Sequence, residues 1–319
     1  MNNKTTAEAA AVTCETPVQI DFLKTGYCTH PEAITLKGGR WNSVKFPALF
    51  ALIHHPTHGY ILYDTGYSER FFQETARFPN RFYAMLTPVV FQPKDSAARQ
   101  LQQRGIDPAS VRYIIISHFH ADHIGGLGDF PAATFICAGS AYDAIKERSG
   151  LQALIAGFLP GLLPVNFEQR TQFIEASDRV ELLSGLFGVG FETGFDVFGD
   201  RSLVAVELPG HATGQLGLLL RDADQDYFLV ADACWSSRAY QEMVAPSAIA
   251  QIIFSNPSAY RTTLKKLHQL HQQCPDIRIV PTHCNNIFGG DAFSDDSFGD
   301  HSFGDHSFGD HSSKREHFQ

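Results

Sequence analysis

Residues 118–123 read His118-Phe119-His120-Ala121-Asp122-His123, so four side chains able to ligate a metal ion fall within six positions. In an extended segment, side chains two apart project to the same side, so His118 and His120 converge. Asp122 and His123 follow where the chain must turn towards a helix. One short loop can thus feed two ligands to each of two ion positions. Neutral imidazoles suit Zn²⁺, and a carboxylate adds charge neutralisation. Three imidazoles and a carboxylate crowded behind a buried strand would be costly without an ion or full hydrogen bonding.

Other candidate ligands lie where the chain leaves an expected strand. His211 sits in Pro209-Gly210-His211-Ala212-Thr213-Gly214, and His283 in Pro281-Thr282-His283-Cys284. Asp232 follows an apolar run in the same way. Delivering one ligand per strand end is how a rigid scaffold builds a polynuclear site. Four of the 15 histidines (His301, His306, His311, His317) fall in a C-terminal segment built on three copies of Ser-Phe-Gly-Asp-His. A pentad rich in Gly, Ser and Asp cannot build a core, so residues 291–319 read as a disordered tail.

The elements that must position these side chains are legible as hydrophobic patterns. Residues 111–117 form a β-branched apolar run, the signature of a buried strand feeding His118. Residues 203–207, 227–231 and 277–280 read as strands ahead of His211, Asp232 and His283. Further strands are expected at 19–23, 48–54, 60–64, 134–137 and 215–220. Helices are expected at 68–75, 96–104, 141–147 and 257–272, the last with Leu264, Leu267 and Leu270 near one face. Asp64-Thr65-Gly66 turns the chain after a strand, glycine supplying the backbone freedom. Strands followed by a helix, twice over, predict two sheets packed face to face with helices outside. Residues 150–173 are apolar, irregular and rich in Gly and Pro. They read either as a lid over a substrate pocket or as helices packed on the core.

Bulk properties narrow the class. A chain of 319 residues with 44% hydrophobic and 18% charged residues is a globular protein large enough to bury a full core without disulfides. Residues 1–16 read as a flexible lead-in, 17–290 as one catalytic domain with 150–173 inserted, and 291–319 as the tail. The net charge of −9 argues against nucleic acid as partner. No apolar run reaches the ~20 residues of a membrane span. The six cysteines form no framework and no secretory leader is evident, which places the protein in the cytoplasm with free thiols.

The ordered motifs DTG, HxHADH, PGHxxG, a strand-end Asp and a late His resemble those of the metallo-β-lactamase-fold hydrolases, across roughly residues 19–287. The resemblance implies an αββα sandwich, two mixed β-sheets with helices outside, holding two divalent metal ions, Zn²⁺ first with Fe or Mn as alternatives. It implies that His118, His120 and His211 hold one metal and Asp122, His123 and His283 the other. Asp232 bridges them, and Asp64 orients a ligand. Expected chemistry is attack of a metal-bridged hydroxide on an ester or lactone carbonyl, with Asp122 returning a proton to the leaving group. Within the family the sequence is most similar to N-acyl homoserine lactonases, and the partner implied is a small molecule with an apolar part. True β-lactamases generally carry Cys where this chain has Asp232. One position departs from the lactonase pattern: those enzymes place Tyr three residues after the bridging Asp, and here it is Trp235, read as a pocket wall. Alternative readings are a glyoxalase II-like thioesterase, a phosphodiesterase, and a non-catalytic binding protein on the same scaffold.

Overall fold

The computed structural model describes residues 14–182, 188–223 and 225–288. Two β-sheets make its frame. The first contains β1 (Gln19–Pro31), β2 (Ser43–His55), β3 (Gly59–Tyr63), β4 (Val89–Val90), β5 (Val111–Ile115), β6 (Thr134–Cys137) and β7 (Thr171–Phe173). Its spatial order is β4-β1-β2-β3-β5-β6-β7. The second contains β8 (Asp178–Glu181), β9 (Thr193–Asp196), β10 (Leu203–Glu207), β11 (Leu216–Asp222), β12 (Gln225–Ala231) and β13 (Ile277–Pro281). Its order is β13-β12-β11-β10-β9-β8. Both sheets are mixed: β3, β5, β6 and β7 run parallel in the first, as do β12 and β13 in the second.

The period-2 alternation of β10 shows why two layers are not enough. Leu203 and Ala205 join the core between the sheets, whereas Val204 and Val206 face the opposite way into a second apolar cluster. A sheet apolar on both faces needs a cover on each. The helix Pro257–Gln273 covers the outer face with Tyr260, Leu264, Leu267 and Leu270, all buried. Asn256 starts it by accepting from the N–H groups of Ser258 and Ala259, with Pro257 at the first helical position. Each large apolar side chain so buried contributes roughly 1.5–3 kcal/mol. The result is the four-layer helix–sheet–sheet–helix sandwich expected.

Details differ from the sequence reading. β5 stops at Ile115, leaving Ile116 and Ser117 to bend the chain towards the sheet edge. Short elements without strong periodicity were not anticipated: β4, β7, β8, β9 and the helices Arg81–Leu86 and Ser237–Gln241. Residues 14–16 are docked on the body: Cys14 is buried, Glu15 N–H donates to Arg201 O, and Thr16 Oγ1 donates to Asp200 O. The rest of the expected lead-in, residues 1–13, and the expected tail, 291–319, lie outside the described residues.

The apolar segment 150–173 packs on the core, as the second of its two expected readings has it. Phe158, Leu159, Leu162 and Phe167 are buried in the core, and its last residues form β7 at a sheet edge. Its middle roofs the histidine loop. Gly157 has φ +66°, and a Cβ there would lie 2.6 Å from His120 Cδ2. Only glycine allows that turn and that approach together.

Candidate metal centre

The C-terminal ends of β3, β5, β12 and β13 reach one rim of the sandwich, and the β10–β11 loop bends to the same place. Asp64, His118, Asp232, His283 and His211 follow those strands in turn. Two sheet-to-sheet bonds fasten this rim: Tyr63 OH donates to Leu216 O at 2.8 Å, and Leu216 N–H donates to Ser117 O at 2.9 Å. Asp64 and Ala231 adopt left-handed backbone, φ 60° and 46°. Non-glycine residues there cost of order 1–3 kcal/mol, tolerated where packing over-determines the turn. The DTG turn grips the histidine loop directly. Thr65 N–H and Oγ1 both donate to His123 O, Ser68 Oγ donates to Gly125 O, and Gly126 N–H donates to Thr65 Oγ1. Gly66 is required because a Cβ would fall 1.9 Å from Thr25 Oγ1.

The structure brings all seven candidate ligands together. His118, His120, His211 and Asp232 offer ligand atoms within 4.8 Å of one another, as do Asp122, His123 and His283. Asp232 touches both sets. Its Oδ2 lies 3.2 Å from His211 Nε2 and 3.2 Å from His283 Nε2, and its Oδ1 lies 3.3 Å from His123 Nε2. Asp122 Oδ2 is 3.4 Å from His283 Nε2.

Outward hydrogen bonds decide which imidazole nitrogen faces the cluster. His123 Nδ1 lies 2.7 Å from Asp64 Oδ2, and His283 Nδ1 lies 2.8 Å from Pro47 O. Both partners only accept, so both Nδ1 atoms donate and it is the Nε2 atoms that point inward. Ser117 Oγ donates to Asp64 Oδ2 at 2.8 Å and so accepts from His118 Nδ1 at 3.0 Å. His118 is thereby set in the same tautomer. Asp64 also accepts from Ser117 N–H at 2.8 Å, which fixes its carboxylate plane. Imidazole ligands held by an acceptor behind them are the usual support of a metal site.

Divalent cations fit this donor set. His118 Nε2 is buried with no hydrogen-bond partner, and buried His123 Nε2 and Asp232 Oδ1 have only a poorly aligned contact with each other at 3.3 Å. Orphaned buried polar atoms are rare and costly, and these converge on the two ligand groups. His120 Nδ1 and His211 Nε2 face each other at 3.0 Å, an arrangement of two imidazole nitrogens that suits a shared cation. The electrostatics follow the same division. Burial, then His123 and His120, holds His118 well below the usual histidine range. Burial holds His211 well below it too, against the pull of Asp232. Burial alone would lower His123, but Asp64, Asp122 and Asp232 outweigh it and hold it well above. Burial would raise Asp232, yet His283, His123 and His211 hold its carboxyl well below the carboxylate range. Without a cation, protons on the second group supply the charge that the carboxylates demand. Metal binding must displace them.

Beside His120 and His211 opens a cavity of ≈ 250 Å³ with an apolar wall of Phe119, Ile145, Ile155, Ile252 and Phe254 and a polar lining of Arg148, Thr213 and Ser255. Two larger hollows, of ≈ 520 and ≈ 500 Å³, are lined by neither set of ligands. The smaller one alone adjoins the convergent imidazoles, so it is the one that bears on the chemistry. Trp235, expected as a pocket wall, is not among its lining residues: the ring packs behind His211 and Phe254, which are, and its Nε1–H donates to Asp232 Oδ2 at 2.9 Å.

Sequence reasoning missed Ser117, the Pro47 carbonyl and Gly157. A serine closing an apolar run was a readable signal for the first. The other two act through backbone placement, which has no local signature.

A third group, His55, His58 and Asp200, also brings potential ligand atoms within 4.8 Å. Here the tautomer argues the other way. His55 Nδ1 accepts from the N–H groups of Thr57 and His58, so its proton sits on Nε2 and donates towards Asp200 and Ser202. Nε2 has no lone pair for an ion. The cluster instead ties the β2–β3 turn to the β9–β10 turn of the other sheet.

The family model of the metallo-beta-lactamase superfamily matches residues 46–270 and so spans every candidate ligand but His283. The N-acyl homoserine lactonase AttM of Rhizobium radiobacter is 28% identical over 224 residues, covering 69% of this chain and 77% of that protein. A probable metallo-hydrolase of Mycobacterium tuberculosis, Rv2300c, is 27% identical over 241 residues, covering 72% of each chain. A solved N-acyl homoserine lactone hydrolase, with N-hexanoyl-L-homoserine at its catalytic metal centre, superposes with a TM-score of 0.62 at 20% identity. That superposition covers 87% of this chain and 98% of the other. With fold, ligand geometry and sequence in agreement, the chain belongs to the metallo-beta-lactamase superfamily, as one of its metal-dependent hydrolases.

Proposed function

We propose that the chain opens a lactone or simple ester carrying an apolar acyl group, with N-acyl homoserine lactones as the first class to examine. The observation that carries this reading is the cavity with one apolar wall that abuts His120 and His211, two of the seven candidate ligands. An acyl chain laid against Phe119, Ile155 and Phe254 would present its carbonyl to the two histidine groups. The relatives' names support the same substrate class. Two divalent cations, Zn²⁺ in the first instance, would be held by His118, His120 and His211 on one side and Asp122, His123 and His283 on the other. They would supply an activated water and polarise the carbonyl. Asp232 is placed to serve both sides. Asp122, facing His283 Nε2 at 3.4 Å, is the carboxylate placed to hold a proton for the departing oxygen. Asp64 and Ser117 keep the imidazoles aimed. All six cysteines are free thiols, which supports a cytoplasmic setting.

The test is a substrate panel with the metal-loaded protein: acyl homoserine lactones of increasing chain length, aryl esters, a glutathione thioester and bis-p-nitrophenyl phosphate. We expect turnover of lactones and esters, with KM falling as the acyl chain lengthens. Turnover of the phosphodiester or the thioester alone would refute the lactonase reading. Ligand binding without turnover would favour a binding protein.

A further inference from the structure

The position three residues after Asp232 holds an indole, and the indole is already engaged. Trp235 Nε1–H donates to Asp232 Oδ2 at 2.9 Å. That same oxygen lies 3.2 Å from His211 Nε2, in one ligand group, and 3.2 Å from His283 Nε2, in the other. Indole has one donor and no acceptor. With that donor given to Asp232, Trp235 has none left for a substrate carbonyl. Nor is the ring free to swing. Its centroid packs edge-on to His211 at 5.8 Å and to Phe254 at 5.6 Å.

We propose that Trp235 is a positioning residue for the metal pair: its N–H fixes the Asp232 carboxylate with Oδ2 shared between the two ligand groups. Trp235 also packs on His211 and Phe254, two residues of the cavity wall, but that packing needs only the ring, and the positioning function needs the N–H. A carboxylate that must serve two sites has a free χ2 rotation, a broad and weakly restrained torsion. An anchored N–H removes that freedom. It also draws charge from the shared oxygen, so cations held there would keep more of their Lewis acidity. The proposal rests on the metal-centre reading and is indifferent to which ester is the substrate.

Trp235→Phe keeps the ring contacts with His211 and Phe254 and deletes the donor. Zinc affinity, measured by chelator competition on metal-free protein, should fall about 10–100-fold, the usual effect of removing a ligand's hydrogen-bond partner. A spectroscopic readout needs no change at the centre. The chain has two tryptophans, and Trp41 is 77% exposed. In Trp41→Phe, emission comes from Trp235 alone and should shift as zinc is added to the metal-free protein. In Trp235→Phe, the remaining emission should not respond. A Trp235→Phe protein that binds zinc within twofold of the parent overturns the proposal. So does Trp41→Phe emission that ignores zinc while the protein loads it, an outcome that holds even if Trp235→Phe fails to fold. A parent chain that takes up no zinc refutes the metal centre itself and this proposal with it. A parent that loads zinc but hydrolyses no lactone refutes only the substrate assignment.

Discussion

Replacing Asp64 by Asn tests whether the inward-facing imidazole nitrogens are set from behind. The buried carboxylate accepts three hydrogen bonds: Ser117 N–H on Oδ1 at 2.8 Å, then Ser117 Oγ at 2.8 Å and His123 Nδ1 at 2.7 Å on Oδ2. The amide is nearly the same shape. Its oxygen can keep the Ser117 N–H, which puts its NH₂ where Oδ2 was. There the NH₂ opposes the proton on His123 Nδ1, donor against donor. The relief is for His123 to move its proton to Nε2, where the lone pair for a cation is lost. Ser117 Oγ loses its acceptor as well and no longer sets His118. Metal affinity should fall about 10–100-fold, or about 1.4–2.7 kcal/mol, with the His123 group affected first. Loss of a charge-assisted bond should also lower folding stability by about 1.5–3 kcal/mol. The assays are metal content after dialysis against a weak chelator, zinc titration, and ¹⁵N chemical shifts of labelled histidines to read the tautomer directly. We expect fewer than two equivalents of metal and a changed nitrogen assignment at His123. An Asp64→Asn protein that retains two tightly bound metals with His123 still protonated at Nδ1 would refute the argument.

Other predictions follow from single contacts. The double variant His118→Ala/His120→Ala should lose both bound metal and hydrolysis while keeping its circular dichroism spectrum; retained turnover would place the chemistry elsewhere. Gly157→Ala forces a Cβ to 2.6 Å from His120 Cδ2 at a φ of +66°. It should cost about 1–3 kcal/mol in chemical denaturation and depress activity through His120. His55 gives a pH dependence. Burial, against the opposing pull of Asp200, holds its pKa below the usual histidine value, and His58 adds to the lowering. The unfolded chain therefore takes up the proton first. The stability from neutral His55 is complete above about pH 6.5 and is lost as pH falls below it. The urea midpoint should drop on that side, and His55→Ala should flatten the slope; an unchanged slope would show that another group carries it.

The sequence by itself determined which residue types meet and in what order. The string from His118 to His123 sits at the end of an apolar run, and His211, Asp232 and His283 each follow another such run. Periodicity alone places those residues at strand ends, because alternation and β-branching are local properties. The two-sheet architecture was readable for the same reason, since β10 and β11 carry apolar residues on both faces. Local signals were absent for β4, β7 and the helix Arg81–Leu86, whose conformation is set by the sheet edge and core they pack on.

Only the tertiary structure decided how the donors are aimed. Which nitrogen of His283 faces inward depends on the carbonyl of Pro47, 236 positions away in sequence. That Trp235 spends its N–H on Asp232 depends on ring contacts with His211 and Phe254. That His55 cannot ligate an ion, despite company that would allow it, depends on two backbone N–H groups in its own turn. Ligand identity is written in residue type. Ligand orientation is a matter of hydrogen-bond partners, and those are brought together only when the two sheets close on each other.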